Sequence, residues 1–293
     1  MKAGRKVNSD VLIKLNRYFR PVTHPFNLES AGEKTYSEWE FEKGADTVRM
    51  YLDSCVCGSE KCMFSGKTVL DVGAGGGGKS LYYLSRGAKH VTALDVIERY
   101  KNEAIEYAVK LGLNDNFTYC VADASKLPFE DESFDLVIMN DSMEHVKSPE
   151  MVLNEVTRVL KTGGRLCVNF PPYGHPFGAH LSDVISIPWV HLFFDEQTLI
   201  DAYKKLVSGL SDSAMRVNFR ISTDNTGKEY FSYINKLTIK RFRKIIAGVK
   251  MKTVYYREVP LRGFLSPLAH LPWIKECMVK AVVCIMEKQV CVQ

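Results

Sequence analysis

No run of about 18 to 20 uninterrupted apolar residues occurs in this chain of 293 residues, so it lacks what a helix needs to cross a bilayer. The first ten residues carry charge, and no apolar segment with a small-residue cleavage site follows them. No export signal is read there, and a cytoplasmic location is expected. A large charge of one sign is also missing. The 39 Lys and Arg stand against 34 Asp and Glu, a net +5, an excess too mild to favour nucleic acid as a partner. Internal repeats and low-complexity tracts are not found. The eight cysteines, without an export signal, read as free thiols rather than a disulfide framework. Cys120 and Cys167 lie in apolar strand-like runs. The cluster Cys55, Cys57, Cys62 lacks a clear fourth ligand nearby, which disfavours structural zinc.

What remains is the composition of a globular chain, 46% hydrophobic and 25% charged, with length for two domains or for one nucleotide-binding core carrying a large insertion. From Lys67 to Phe170 short β-rich runs alternate with helical patterns. Strands are expected at 68–72, 91–95, 117–121, 134–139 and 166–170, and helices from Lys79, over 97–111 closed by Gly112, and over 149–160 with proline in the first turn. Upstream, Phe41, Ala45, Val48 and Leu52 fall at helical spacing. Downstream, 171–236 breaks the alternation with prolines, glycines, histidines and aromatics around a helix near 196–207. A helix from Thr238 to Ala247, a strand near 253–256 and a last apolar strand at 281–286 follow. Strands apolar on both faces with helical crossovers imply a doubly wound α/β sheet, which binds ligands beyond the carboxyl ends of its strands.

The first strand runs into Asp71-Val-Gly73-Ala74-Gly75-Gly-Gly77-Gly78, and the second ends at Asp95, twenty residues after Gly75. Glycines let a ligand approach the backbone, the following helix N-terminus offers unpaired N–H groups, and a carboxylate at Asp95 suits the two hydroxyls of a ribose. The same glycines fit the dinucleotide fingerprint GxGxxG, so a nicotinamide enzyme stays open on this motif alone. The third strand ends in Val121-Ala-Asp123-Ala124, and the fourth in Met139-Asn140-Asp141-Ser-Met-Glu144-His145.

With these four motifs in order, the chain resembles the class I S-adenosylmethionine-dependent methyltransferases, in the subgroup that includes the ubiquinone and menaquinone biosynthesis enzymes. The resemblance implies a Rossmann-like sheet of seven strands with the last antiparallel, helices on both faces, and S-adenosylmethionine as cofactor. It implies that Asp71, Gly73, Ala74, Gly75 and Gly77 hold the methionine part, Asp95 the ribose, and Asp123 with Ala124 the adenine, with Val96, and Asn140 at the fourth strand's end, also binding the cofactor. The N-terminal arm is expected to fold Tyr36 and Trp39 over the cofactor, where aromatic faces suit a sulfonium. A core-facing amphipathic helix is the plainer alternative.

Methyl transfer from a sulfonium is an in-line displacement that mainly requires alignment, and a hydroxyl acceptor must also lose a proton. Asp141 and His145 are candidates for that role. Asp141-x-x-Glu144-His145 resembles the Glu-x-x-Glu-His of ubiquinone O-methyltransferases, with Asp in place of the first Glu. Orientation of the following loop, a divalent metal site and a general base are the three readings of Glu144 and His145, and metal is not favoured. His175 and His180, with His191, lie among aromatics after the fifth strand and are catalytic candidates, against the plainer role of packed histidines. The basic run Lys240, Arg241, Arg243, Lys244 reads as a solvated helix face.

The organisation expected is an arm and helix at 1–66 capping the cofactor site, a core at 67–170, an acceptor-binding insertion at 171–236, and a completing segment at 237–293. The function expected is methyl transfer to a small-molecule acceptor, at a hydroxyl oxygen, without nucleic acid. Protein or RNA methylation, a nicotinamide oxidoreductase and a non-catalytic cofactor-binding protein are the competitors.

Overall fold

The computed structural model describes residues 8–21, 27, 34–52, 54, 58–262, 271 and 274–289. In chain order its elements are α1 (Ser9–Asn16), α2 (Tyr36–Leu52), α3 (Glu60–Phe64), β1 (Thr68–Val72), α4 (Gly78–Ser85), β2 (His90–Asp95), α5 (Arg99–Lys110), β3 (Phe117–Val121), β4 (Phe134–Asn140), α6 (Pro149–Val159) and β5 (Leu160–Phe170). There follow α7 (Val190–Phe193), α8 (Glu196–Val207), α9 (Ser213–Arg220), β6 (Ile221–Thr223), β7 (Glu229–Phe231), α10 (Ile239–Ala247), β8 (Lys252–Pro260), α11 (Lys275–Met278) and β9 (Val279–Glu287). Cys55 and Cys57 lie outside the described residues, and Cys62 is an exposed free thiol.

The chain forms two compact units. The larger comprises Lys34–Phe170, Lys240–Val259 and Ala281–Gln293; the smaller comprises Met1–Glu33, Pro171–Ile239 and Pro260–Lys280. The larger is built on a seven-stranded sheet of order β3-β2-β1-β4-β5-β9-β8. The β1–β2, β1–β4, β2–β3 and β4–β5 pairs are parallel, and β9 runs antiparallel to β5. The strand order reverses between β1 and β4, the switch point where such sheets open a crevice at the carboxyl edge.

Burial on both faces follows from the strands' composition: the last four residues of β1 and the last five of β4 are buried. Helix α6 starts on Pro149, whose missing N–H costs nothing in a first turn, and buries Val152, Leu153, Val156 and Val159. Strand β5 begins six residues before the expected Leu166. Its polar Lys161-Thr-Gly-Gly start has little strand character, but the Gly163 N–H bonds the Lys288 carbonyl at 2.9 Å and the Lys288 N–H bonds the Gly164 carbonyl at 3.0 Å. Pairing overrides local preference there.

The smaller unit has its own core, in which Leu12 of α1 packs with Leu199, Ile200, Tyr203 and Val207 of α8 and with Ile185, Ile221 and Phe231. Helix α9 and the β6–β7 hairpin escape the sequence pattern, because α9 buries Arg216 and Arg220 in place of an apolar stripe.

Candidate active site

The glycine turn leaves β1 and enters α4. Gly73 and Ala74 donate backbone N–H bonds to the Leu94 carbonyl at 2.8 and 3.0 Å, and Gly77 closes onto the Ala74 carbonyl at 2.9 Å. Gly75 and Gly78 show how closely neighbouring groups approach the turn. A Cβ on Gly75, whose φ is +53°, would lie 2.9 Å from Glu40 Oε1 and 3.0 Å from the Tyr36 ring; one on Gly78 would lie 2.0 Å from the Ser37 carbonyl oxygen. Helix α2 therefore lies directly on the turn. The Ser37 hydroxyl donates to the Gly76 carbonyl at 2.5 Å, and the Tyr119 hydroxyl to the Gly75 carbonyl at 2.6 Å.

Acidic groups gather here. Asp71 is buried and accepts the Ser80 hydroxyl at 2.6 Å; burial pushes its carboxyl up to about 6. Asp95 accepts the Gly75 N–H at 2.9 Å and the Ile97 N–H at 3.0 Å, and burial still raises it above the ordinary range. Glu40 accepts the Gly78 N–H at 3.3 Å and is pushed up to about 8 by burial, against the pull of Lys79. For Lys79 burial works downward, but Asp141, Glu40 and Asp71 together hold the ammonium above its usual range.

The expected cofactor residues Asp71, Gly73, Ala74, Gly75, Gly77 and Asp95 thus surround one turn. Tyr36 stands beside them, its ring 5.2 Å from that of Tyr100 and 6.2 Å from that of Trp39. Val96, 65% exposed, offers an apolar surface past the end of β2. Asp123 is exposed at the end of β3, accepts the Ser125 N–H at 2.8 Å and is lowered by that bond; Ala124 beside it is buried. Asn140 faces the protein: the Tyr51 hydroxyl donates to its Oδ1 at 2.6 Å, and its Nδ2 donates to the Tyr83 hydroxyl at 2.5 Å.

Beyond β4 the backbone turns at Asp141, a non-glycine residue at φ +47°. Its Oδ1 accepts from Asn169 Nδ2 at 3.2 Å, and its Oδ2 lies 4.0 Å from Lys79 Nζ. Glu144 is buried, and burial first, then Asp141, raise its carboxyl far above its ordinary range. His145 Nε2 lies 3.9 Å from Glu144 Oε1, on a one-third exposed ring.

The histidines after β5 belong to the smaller unit. His175 Nδ1 accepts the Phe177 N–H at 3.1 Å, and burial, then His191 and Lys280, lower the ring to about 4. His191 Nε2 donates to the Tyr173 carbonyl at 2.7 Å; burial lowers it too to about 4. Both rings are neutral at pH 7 and are weak bases. His180 sits at φ +52°, its carbonyl accepting from the Tyr233 hydroxyl at 2.7 Å and Arg220 Nε at 3.3 Å. A cavity of about 140 Å³ in this unit is lined by Tyr173, Ala179, His191, Phe194, Leu199, Phe231 and Ile234, among others.

Glu40 and Lys79 were not anticipated. The buried positions of α2 are Ser37, Glu40, Gly44, Thr47, Val48 and Tyr51, one residue round the helix from the expected Phe41, Ala45, Val48, Leu52 stripe. A glutamate at i−4 and i−8 from Gly44 and Val48 was the available signal. The polar stripe hid it, because periodicity scores apolar residues.

A glycine turn, an acidic strand end and a nearby cluster of carboxylates with one lysine suit a nucleoside cofactor carrying an amino-acid end and a positive charge. Strand order and turn together define a doubly wound enzyme of the nucleoside-cofactor class. A family model described as a methyltransferase domain matches residues 70–168. A ubiquinone/menaquinone biosynthesis C-methyltransferase of Brucella anthropi is 31% identical over 193 residues, 64% of this chain and 73% of that protein. A sterol 24-C-methyltransferase of Gibberella zeae is 41% identical over 99 residues, 34% of this chain and 26% of that protein. Among solved structures, the geranyl diphosphate C-methyltransferase of Streptomyces coelicolor A3(2), crystallised with Mg2+ and S-adenosyl-L-homocysteine, superposes with a TM-score of 0.50 at 13% identity, covering 77% of this chain and 71% of that one.

The chain belongs to the class I S-adenosylmethionine-dependent methyltransferases, with the ubiquinone/menaquinone biosynthesis enzymes among its relatives. It is a methyl-transferring enzyme that uses S-adenosylmethionine, and the nicotinamide alternative left open by the glycines is set aside. No helix among the described residues is long and apolar enough to cross a membrane.

Proposed function

We propose that this enzyme methylates a small, partly apolar acceptor bearing an ionisable hydroxyl, and that His145 takes the hydroxyl proton. The turn Asp141 to His145 at the switch point carries this reading. It follows β4, where ligands meet doubly wound sheets, and it sets a one-third exposed imidazole 3.9 Å from Glu144, whose burial raises its carboxyl above the ordinary range.

When bound, the cofactor supplies an electrophilic methyl group on a sulfonium. Asp71 and the glycine turn would hold its amino-acid end, Asp95 its ribose, and Val96 and Ala124 one face of its base. The protein's own contribution is then alignment and proton removal. Proton removal by a positioned histidine contributes about 10²- to 10⁴-fold. His145 suits it better than His175, whose burial leaves a ring titrating near 4.

Sequence reasoning placed the methyl on the hydroxyl oxygen. The relatives named for C-methylation support a different outcome, in which the deprotonated hydroxyl activates a neighbouring ring or alkene carbon. Both outcomes need the same base. Acceptor recognition we assign to the segment 171–236, supported by its aromatic-lined cavity.

Incubation with methyl-labelled S-adenosylmethionine and a panel of hydroxylated quinone precursors tests this. A product heavier by one methylene is expected, with carbon-13 NMR distinguishing a methoxy from a C-methyl carbon. His145→Gln should lower kcat about 10²- to 10⁴-fold while cofactor affinity stays within about twofold of wild type. Unchanged turnover in that variant would remove His145 as the base, and labelling of protein or RNA alone would replace the small-molecule acceptor.

A further inference from the structure

Glu40 is 3% exposed and lies in the middle of the cofactor turn without being part of any recognised motif. Burying a carboxyl is costly unless it is paired. Beside the Tyr36 hydroxyl, its backbone partner is the Gly78 N–H, a long bond of 3.3 Å that a neutral side chain could equally accept.

The groups facing it come from every neighbouring element. On its own helix Tyr36 hydrogen-bonds it. Asp71 of β1, Asp95 at the end of β2, and Lys79 and the Gly78 N–H of α4 act on it directly. Tyr83 of α4 and Tyr119 of β3 feel its charge. Lys79 thus has Glu40 and Asp71 around it as well as Asp141 at 4.0 Å, Asp95 adds a further acid facing Glu40, and burial raises Glu40, Asp71 and Asp95 alike. Asp71 is tied by Ser80 and Asp95 by two backbone N–H groups. Glu40 Oε1, in contrast, is turned to Gly75, at the spot where a side chain would begin.

An α-amino acid end brings one ammonium and one carboxylate. Lys79 suits the carboxylate, and the surplus acid suits the ammonium. We propose that Glu40 is a cofactor-recognition residue: its carboxylate, held over the glycine turn by α2, pairs with the ammonium of the methionine part of S-adenosylmethionine, and the cluster gives up a proton when that ammonium arrives. This rests on the glycine turn being the seat of the methionine part.

The experiment titrates the full chain calorimetrically with S-adenosylhomocysteine, which has the amino-acid end, and with 5′-methylthioadenosine, which lacks it. Buffers of different ionisation enthalpy report proton release. With a carboxyl titrating at about 8, S-adenosylhomocysteine should release about 0.9 proton at pH 7, and its affinity should rise about tenfold from pH 6 to pH 7. 5′-Methylthioadenosine should release none and vary less than about twofold. Glu40→Gln, which keeps the shape, should abolish the release and the pH slope, lower affinity for S-adenosylhomocysteine about tenfold or more, and leave 5′-methylthioadenosine unaffected.

Equal weakening of both ligands would mean that Glu40 only supports the turn, and an unchanged proton release in the variant would assign it to another group; either overturns the proposal. The wild-type measurements need no variant to fold. Wild-type protein that binds 5′-methylthioadenosine without proton release on S-adenosylhomocysteine refutes Glu40 alone. Protein that binds neither ligand refutes the cofactor site itself.

Discussion

Asp183 joins two arginines inside the smaller unit. Its side chain lies 3.1 Å from Arg216 Nη1 and 3.2 Å from Arg220 Nη2, and it accepts the Tyr203 hydroxyl at 2.9 Å. Arg216 is 1% exposed, Arg220 2% and Asp183 5%. Arg216 also reaches Asp212 at 2.9 Å and Asn27 at 2.9 Å, and Arg220 lies over the rings of Tyr203, Tyr233 and Phe219. Two guanidinium groups and two carboxylates make the cluster neutral. Asp183→Asn keeps the volume and leaves one net positive charge there. An ordinary neutral hydrogen bond contributes about 1 kcal/mol, but stripping one partner from a buried ion pair costs about 3–5 kcal/mol, and that figure applies here. Urea unfolding followed by circular dichroism measures it, with Asp10→Asn as the control. Asp10 pairs with Lys205 at 2.8 Å on the surface, where solvent screens the pair, so its midpoint should not move. Adding Arg216→Met to Asp183→Asn should recover part of the loss, since it removes the stranded charge. If Asp183→Asn lost less than about 1 kcal/mol, or the double variant were worse by the full sum, charge balance would not be what holds α9 in place.

Asp95→Ala should reduce S-adenosylmethionine affinity about tenfold or more; an unchanged dissociation constant by calorimetry would separate Asp95 from the cofactor. Gly78→Ala puts a Cβ 2.0 Å from the Ser37 carbonyl oxygen and 2.6 Å from the Phe41 nitrogen, both backbone atoms. It should destabilise by about 1–3 kcal/mol and weaken cofactor binding as α2 is displaced, and a variant with wild-type Tm and affinity would contradict the close docking of that helix. His175 and His191 titrate near 4 in the folded protein against about 6.5 when unfolded. As pH falls the unfolded chain takes up protons first, so stability is complete above about pH 6.5 and is lost toward pH 4. The slope reaches about 1.4 kcal/mol per pH unit for each ring. His191→Gln should reduce that slope in a pH series of urea midpoints, and an unaltered slope would show that His191 does not contribute.

Much of the larger unit was readable in advance. Strands at 68–72 and 117–121 appear at the expected residues; the first is a run buried on both faces, which has few other places to go, and the second is carried by its β-branched and aromatic residues at the sheet edge. The strand near 253–256 extends to Lys252–Pro260. The smaller unit was less legible. Its segment 171–236 yielded the helix at Glu196–Val207, whose Asp195 cap accepts the Thr198 N–H at 3.0 Å, but not α9, whose inward face carries arginines. Two of its histidines hold backbone groups: His175 bonds a neighbouring N–H and His191 a carbonyl. A histidine's partner is invisible to spacing.

Sequence by itself determined the alternation of strand and helix, the glycine turn after β1 and the acids that end β2 and β3, since each is written in neighbouring residues through hydrophobic period, steric freedom or local hydrogen bonding. Tertiary structure alone decided which groups share a dielectric environment. It set Glu40 against a turn 38 residues away, turned Asn140 inward to Tyr51 and Tyr83, and placed Asp183 between two arginines. Such charges acquire their character from desolvation and from partners distant in the chain, and neither quantity exists until the chain has folded.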